Sequence, residues 1–349
     1  MAFLAAGVLH RPQVSALRAA KCAPRGAYRQ LRRTMTTVKM ADAGEATGEQ
    51  VAAGPVVPEG FKPPTPKTFQ VRPDQLLNIV SGSVSSLARA YSGAVVDGYS
   101  LSIKNGSLSE KSTTLPAARP AQPLVLFDIE SCPFCRKVRE ALCILDLEVY
   151  IYPAPRGGVR FRPLLEEMAG KSQFPYLIDP NTDFAAYESD DIVTYLFKTY
   201  GDGSVPLALR LGPLTNISAS VSSGLRAGRG MSTPSKKVFP EKALQLWGYE
   251  PSPFVKIVRE KLCELELPYL LYNTARGSPQ RITLKERVGR FQVPYLEDEN
   301  TGVKMFESAE IVEYLEMVYG DKAAGATAKV PDGLKGVMPK LQSSDKADN

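Results

Sequence analysis

A chain of 349 residues, 44% of them hydrophobic, is long enough for two ordinary domains and connecting segments. Its formal charge of +6 sits at one end: Arg11, Arg18, Lys21, Arg25, Arg29, Arg32, Arg33 and Lys39 all precede the first acid, Asp42, so +6 less +8 leaves the remainder at −2. A near-neutral body gives no support to nucleic-acid binding, and without 18 consecutive apolar residues no transmembrane helix is indicated.

Residues 1–40, rich in Ala and Arg and free of acids, have the composition of an organelle transit peptide, which does not separate plastid from mitochondrion. Residues 41–122 read as a Pro-, Ala- and Ser-rich linker carrying one amphipathic helix at about 73–91, with Leu76, Leu77, Val80, Val84 and Leu87 in a single stripe. A fainter copy lies in the helix-and-linker segment 204–242, where Leu214, Ile217, Val221 and Leu225 form the stripe. Small residues (Gly82, Ser86, Ser218, Ser222) would let these two helices pack closely. The plain reading is that both cover a core. Peripheral membrane contact is a third reading, weakened by polar faces that carry serine but few Lys or Arg. The tail, 321–349, has almost no apolar periodicity and is expected to be disordered.

Between these segments the chain repeats itself. "LVLFDIESCPFCRKVREALCILDL", from Leu124, lies over "LQLWGYEPSPFVKIVREKLCELEL", from Leu244. "QFPYLIDPNTD" lies over "QVPYLEDENTG", and "YESDDIVTYL" over "FESAEIVEYL". Cys132 falls on Ser252, Cys135 on Val255 and Cys143 on Cys263. Two domains are therefore expected, 123–203 and 243–320, each of order βαβαββα, with helices on both faces of a four-stranded mixed sheet.

Five cysteines are too few for a disulfide scaffold in a chain of this length, and the only histidine is His10, so the body has no histidine for a triad or a metal. No second Cys-x-x-Cys exists to complete a zinc site. Cys132 is placed at the start of a predicted helix, where free backbone N–H groups and the helix dipole favour thiolate. Cys135, three residues on, is within disulfide reach. Cys132 would attack and Cys135 resolve; the bland alternative is two incidental cysteines. Cys143 and Cys263, mid-helix among leucines, read as small core residues. Ser189 and Ser308 read as caps of the last helix, whose free N–H groups suit a carboxylate.

The sequence strand, Cys-Pro-Phe-Cys, helix, x-Pro-x loop, strand, Glu-Ser, helix resembles the N-terminal, thioredoxin-like domain of soluble glutathione transferases in both units. The first unit also resembles a glutaredoxin. The whole layout is similar to chloroplast tandem glutathione-transferase-like proteins of plants and algae. The resemblance implies glutathione as cosubstrate; thiol or disulfide proteins are expected as partners, and no metal is expected. It makes Pro175 and Pro294 cis-prolines, with the backbone of Phe174 and Val293 pairing with the cysteinyl part of glutathione. It makes Glu188-Ser189 and Glu307-Ser308 the γ-glutamyl contacts. Ser252 resembles the serine that hydrogen-bonds the glutathione thiolate in serine-type transferases. True transferases continue into a large helical domain, whereas 29 residues follow Gly320. The expected function is a plastid glutathione-dependent thiol–disulfide oxidoreductase. The alternatives are a transferase-like protein using Ser252 and a non-catalytic adaptor or assembly protein.

Overall fold

A computed structural model describes residues 55–320 apart from 68, 69, 105, 117 and 234–236. The segment expected to be a transit peptide and the tail 321–349 lie outside the described residues.

The first unit runs β3 (Leu124–Asp128), α2 (Pro133–Ile144), β4 (Val149–Pro153), α3 (Phe161–Ala169), β5 (Tyr176–Asp179), β6 (Phe184–Ala186) and α4 (Ser189–Tyr200). The second repeats this as β7 (Leu244–Gly248), α7 (Pro253–Glu264), β8 (Tyr269–Asn273), α8 (Gln280–Val288), β9 (Tyr295–Asp298), β10 (Val303–Phe306) and α9 (Ser308–Tyr319). Both central helices begin on proline, whose missing N–H costs nothing in the first turn. A two-stranded hairpin, β1 (Tyr99–Lys104) and β2 (Ser107–Ser112), occupies part of the segment read as linker. Its strands carry the Ser- and Lys-rich composition that made them look like connector.

The two sheets are one. Strand order is β10-β9-β7-β8-β4-β3-β5-β6 across eight strands. The edge strand of each unit, β4 and β8, pairs antiparallel with the other, Val149 opposite Leu271 and Ile151 opposite Tyr269. Joining them removes two exposed edges that would otherwise template association. One apolar cluster spans both units beneath α2, α4, α7 and α9, and a smaller cluster lies under α3 in one unit and under α8 in the other.

Across the seam, matching residues exchange partners. Arg139 Nε donates to Glu250 Oε2 at 3.0 Å, and Arg259 Nε to Glu130 Oε2 at 3.1 Å. Cys143 Sγ donates to the Gly93 carbonyl (3.2 Å) and Cys263 Sγ to the Gly230 carbonyl (3.1 Å). In turn the Glu250 and Glu130 amides point at those sulfurs, each at 3.5 Å. The mid-helix cysteines therefore hold backbone across the unit boundary as well as filling core volume.

Two helices form a further layer: α1 (Leu76–Leu87) and α6 (Pro213–Gly224), the latter following the short turn α5 (Leu207–Arg210). Helix α1 packs on α7 and α6 on α2, and the two meet where Ser85 Oγ and Ser222 Oγ stand 2.6 Å apart. Their inward faces are polar. Arg89 pairs with Glu140 and Arg226 with Glu260, each at 2.6 Å, and Arg136 binds the Ser85 and Ser222 hydroxyls. The apolar stripes point outward: Leu77 is 82% exposed, Leu87 63%, Leu214 64% and Ile217 58%. This corrects the expectation that these stripes cover the core. The buried arginines need hydroxyl and carboxylate partners; the serine faces supply the hydroxyls, and Glu140 of α2 and Glu260 of α7 the carboxylates.

Candidate functional site

Cys132 is the N-cap of α2, and Cys135 lies in its first turn, fully buried. Both thiols are free. A hydrogen bond from the Cys135 thiol, opposed by burial, lowers the Cys132 pKa; the amides of Cys135 and Phe134 contribute smaller lowering effects. Burial, then the neighbouring Cys132, pushes Cys135 well above an ordinary thiol. The pair is thus divided into a thiolate former and a proton holder. Phe134 is 43% exposed beside them.

Asp128 closes the site from below. It ends β3, is 2% exposed, and receives Arg139 Nη1 on both oxygens at 2.7 and 2.8 Å. Burial raises its pKa, and Arg139 and a hydrogen bond accepted from the Cys135 thiol pull the other way. In the repeat its place is taken by Gly248, where an added Cβ would meet Val255 at 2.5 Å. The buried acid therefore accompanies the dithiol and is absent from the other unit. The alignment of the two halves carried this signal, since a strand-ending Asp standing opposite Gly is a change of chemistry rather than of packing.

The Phe174-Pro175 bond is cis, in the loop before β5. Gln173 Nε2 donates to Glu188 Oε1 at 2.8 Å, tying that loop to the start of α4. Lys137 in α2 pairs with Asp190 in the first turn of α4 and so draws the two helix N-termini together. Glu188 is exposed and Ser189 buried. Glu188, not Ser189, is the N-cap residue, and Ser189 is the first residue of the helix. The same holds for Glu307 and Ser308. The serine hydroxyls therefore do not cap these helices, which corrects the expectation from sequence.

The second unit has the same frame with a different content. Val293-Pro294 is cis, and Gln292 Nε2 donates to Glu307 Oε1 at 2.9 Å. Ser252 caps α7, its Oγ accepting from the Val255 amide at 3.4 Å, and is 3% exposed. Helix α1 presses directly on it: Ser86 Oγ donates to the Pro251 carbonyl at 2.8 Å, and a Cβ on Gly82 would stand 3.0 Å from that of Pro253. Gly82 is what permits this approach.

A strap from the N-terminal side covers the Glu307-Ser308 end. The Lys67 amide donates to Glu307 Oε1 at 2.6 Å, and Gln292 and Arg290 donate to the Lys67 and Pro66 carbonyls at 3.2 and 3.3 Å. Arg72 fastens the strap to Glu313 at 2.8 Å and Glu310 at 3.5 Å. What remains is a cleft of about 170 Å³ lined by Lys67, Arg72, Ile79, Phe254, Glu307 and Ser308 among others. Glu307 also departs from Glu188 in its backbone, with φ 73° against −77°. A glutamate in that region is strained by roughly 1–3 kcal/mol. Nothing in the repeat motifs announces the strap, because its contacts are made mostly by backbone groups.

Among the described residues no cluster of His, Cys, Asp or Glu is placed to hold a metal ion, and no helix is long and apolar enough to cross a membrane.

Fold and site together define two tandem thioredoxin-like domains, of which the first bears a dithiol at its central helix. Residues 126–204 and 246–323 match the family model for the glutathione S-transferase N-terminal domain, so the chain carries two such domains in tandem. No curated protein and no solved structure matches the chain.

Proposed function

We propose that this protein is a glutathione-dependent thiol–disulfide oxidoreductase whose chemistry belongs to the first unit. The observation that carries the reading is the divided dithiol, a lowered Cys132 beside a buried, raised Cys135, at the mouth of an uncovered Glu188-Ser189 cradle. The family's general association with glutathione supplies the cosubstrate. The residues fit it: the exposed Glu188 carboxylate suits an ammonium group, and the free N–H groups opening α4 suit a carboxylate.

Cys132 thiolate attacks the glutathionyl sulfur of a mixed disulfide. That S–S bond breaks, the partner's thiol leaves as thiolate, and a Cys132–glutathione disulfide forms. Cys135 passes its proton to Asp128 and attacks Cys132, expelling glutathione thiolate and leaving a Cys132–Cys135 disulfide. Two glutathione molecules, themselves oxidised to the disulfide, restore the dithiol. Arg139 holds Asp128 in position for the proton. Phe174, Pro175, Glu188 and Ser189 orient glutathione; the matching Val293, Pro294, Glu307 and Ser308 form a second cradle covered by the strap. Ser252 is assigned the role of helix cap. The test is turnover of a glutathionylated peptide by the full chain. Loss in Cys132→Ser with residual turnover in Cys135→Ser is expected, and unchanged turnover in Cys132→Ser would overturn the assignment. A plastid location is proposed from the basic, acid-free first 40 residues. Fusing them to a fluorescent reporter tests it, with cytosolic fluorescence as the contrary result.

A further inference from the structure

Helices α1 and α6 lie side by side and antiparallel: Arg226 reaches back to the Asn78 carbonyl and Ser81, Ser85 meets Ser222, and Arg89 reaches Ser218 and the Thr215 carbonyl. Ser85, Ser86 and Ser222 are buried beneath them, so the outer surface of the pair is built from the other side of both helices. On it stand Leu77 (82% exposed), Val80 (50%), Leu87 (63%), Leu214 (64%), Ile217 (58%) and Val221 (54%), with Leu76, Val84, Leu207 and Leu225 around them at 42% or more. Nine half-exposed aliphatic side chains of α1 and α6, with Leu207 of α5, present on the order of 1,000 Å² of apolar surface, where the largest patch on a typical monomer is about 300–600 Å². No Lys, Arg, Asp or Glu occurs between Leu76 and Ala88, or between Leu211 and Leu225.

We propose that this face binds the same face of a second copy of the chain, making a two-fold dimer through a four-helix layer. Three features select that occupant. The available area is close to the ~800 Å² that each partner gives to a stable interface, and its apolar character is that of a homodimer core. A two-fold between copies would set each stripe against a stripe of the partner, so this one face could serve both subunits, as an isologous contact requires. The helices place their large residues three and four apart (Leu77, Val80, Val84, Leu87; Leu214, Ile217, Val221, Leu225), which offers ridges to a facing pair. An anionic lipid surface would call for Lys or Arg along the rim of the apolar face; between the ends of these helices there is none, and the chain after residue 40 carries −2.

Sedimentation velocity of the full chain in moderate salt and without detergent is the test. A dimer at micromolar concentration is expected. Leu77→Glu with Ile217→Glu should raise its dissociation constant at least 10-fold. Both side chains are outward, so near-ultraviolet circular dichroism should be unchanged. The gentler Leu77→Ser with Ile217→Ser should move in the same direction, which guards against misfolding of the charged pair. A monomer across the micromolar range, or variants that dimerise as the parent does, would overturn the proposal. So would a lipid-free monomer that floats with zwitterionic vesicles and loses this in the same variants, an outcome that would assign the face to a bilayer.

Discussion

The Lys67 amide donates to Glu307 Oε1 at 2.6 Å, whereas Glu188, at the same place in the first unit, is exposed. One cradle is open and the other holds a piece of its own chain. The full chain should therefore bind one glutathione, at the first unit. Lys67→Pro, which removes the donor, combined with Arg72→Ala, which releases the anchor to Glu310 and Glu313, should add a weaker second site in calorimetric titration. Two sites in the unaltered protein, or no change on freeing the strap, would contradict this.

Thiol reactivity should follow the divided pair. Cys132 should alkylate at pH values below the normal thiol range, since its thiolate is stabilised. Cys135, Cys143 and Cys263 are raised by burial and should stay unlabelled until the protein unfolds. Peptide mapping after pulses of iodoacetamide between pH 5 and 9 checks this. Labelling of Cys143 or Cys263 in the folded protein at a rate near that of Cys132 would count against the seam described here.

Arg139 is the centre of that seam, in contact with Asp128, Glu130 and Glu250. Arg139→Met would leave three buried carboxylates short of a cation and should cost about 3–5 kcal/mol in urea unfolding. A loss under about 1 kcal/mol would mean the cluster is not a joint the fold relies on. Glu130 and Glu250 are held below the usual carboxylate range, the arginines outweighing burial. Their contribution is present above the normal glutamate pKa and is lost only as pH falls through the depressed values.

Asp146 runs the other way. Burial pushes its pKa up to about 6, and its Oδ1 has no hydrogen-bond partner. The native state then holds a proton that the unfolded chain has released, so stability falls as pH rises from about 4 to 6. Moving a carboxyl group across that interval corresponds to roughly 3 kcal/mol. Asp146→Asn, tolerated at φ 52°, should flatten that slope and stabilise the protein at pH 7, with little difference at pH 4. Parallel slopes in the two proteins would exclude Asp146 as the cause.

Much of each unit was legible because its signals are local. Pro133 and Pro253 open α2 and α7, and Cys132 with Cys135 marks the reactive end. The joining of β4 to β8 was not legible: backbone groups make that contact, and a strand pattern does not say which edge it will find. The direction of α1 and α6 misled for a different reason. An apolar stripe argues for burial on that face, but Arg89, Arg136 and Arg226 are buried and use serine hydroxyls beside their glutamate partners, which turns the serine faces inward. The roles of Ser189 and Ser308 slipped by one residue, since a Ser opening a helix reads the same at the cap and at the first turn.

The central claim is that Cys132, and no other described cysteine, exchanges with glutathione. Intact mass of the full-length Cys135→Ser protein after brief exposure to glutathione disulfide tests it most directly. One glutathionyl adduct is predicted within residues 55–320, mapping to Cys132 and absent from a Cys132→Ser, Cys135→Ser protein. An unmodified Cys132, or an adduct on Cys143 or Cys263, would contradict the account.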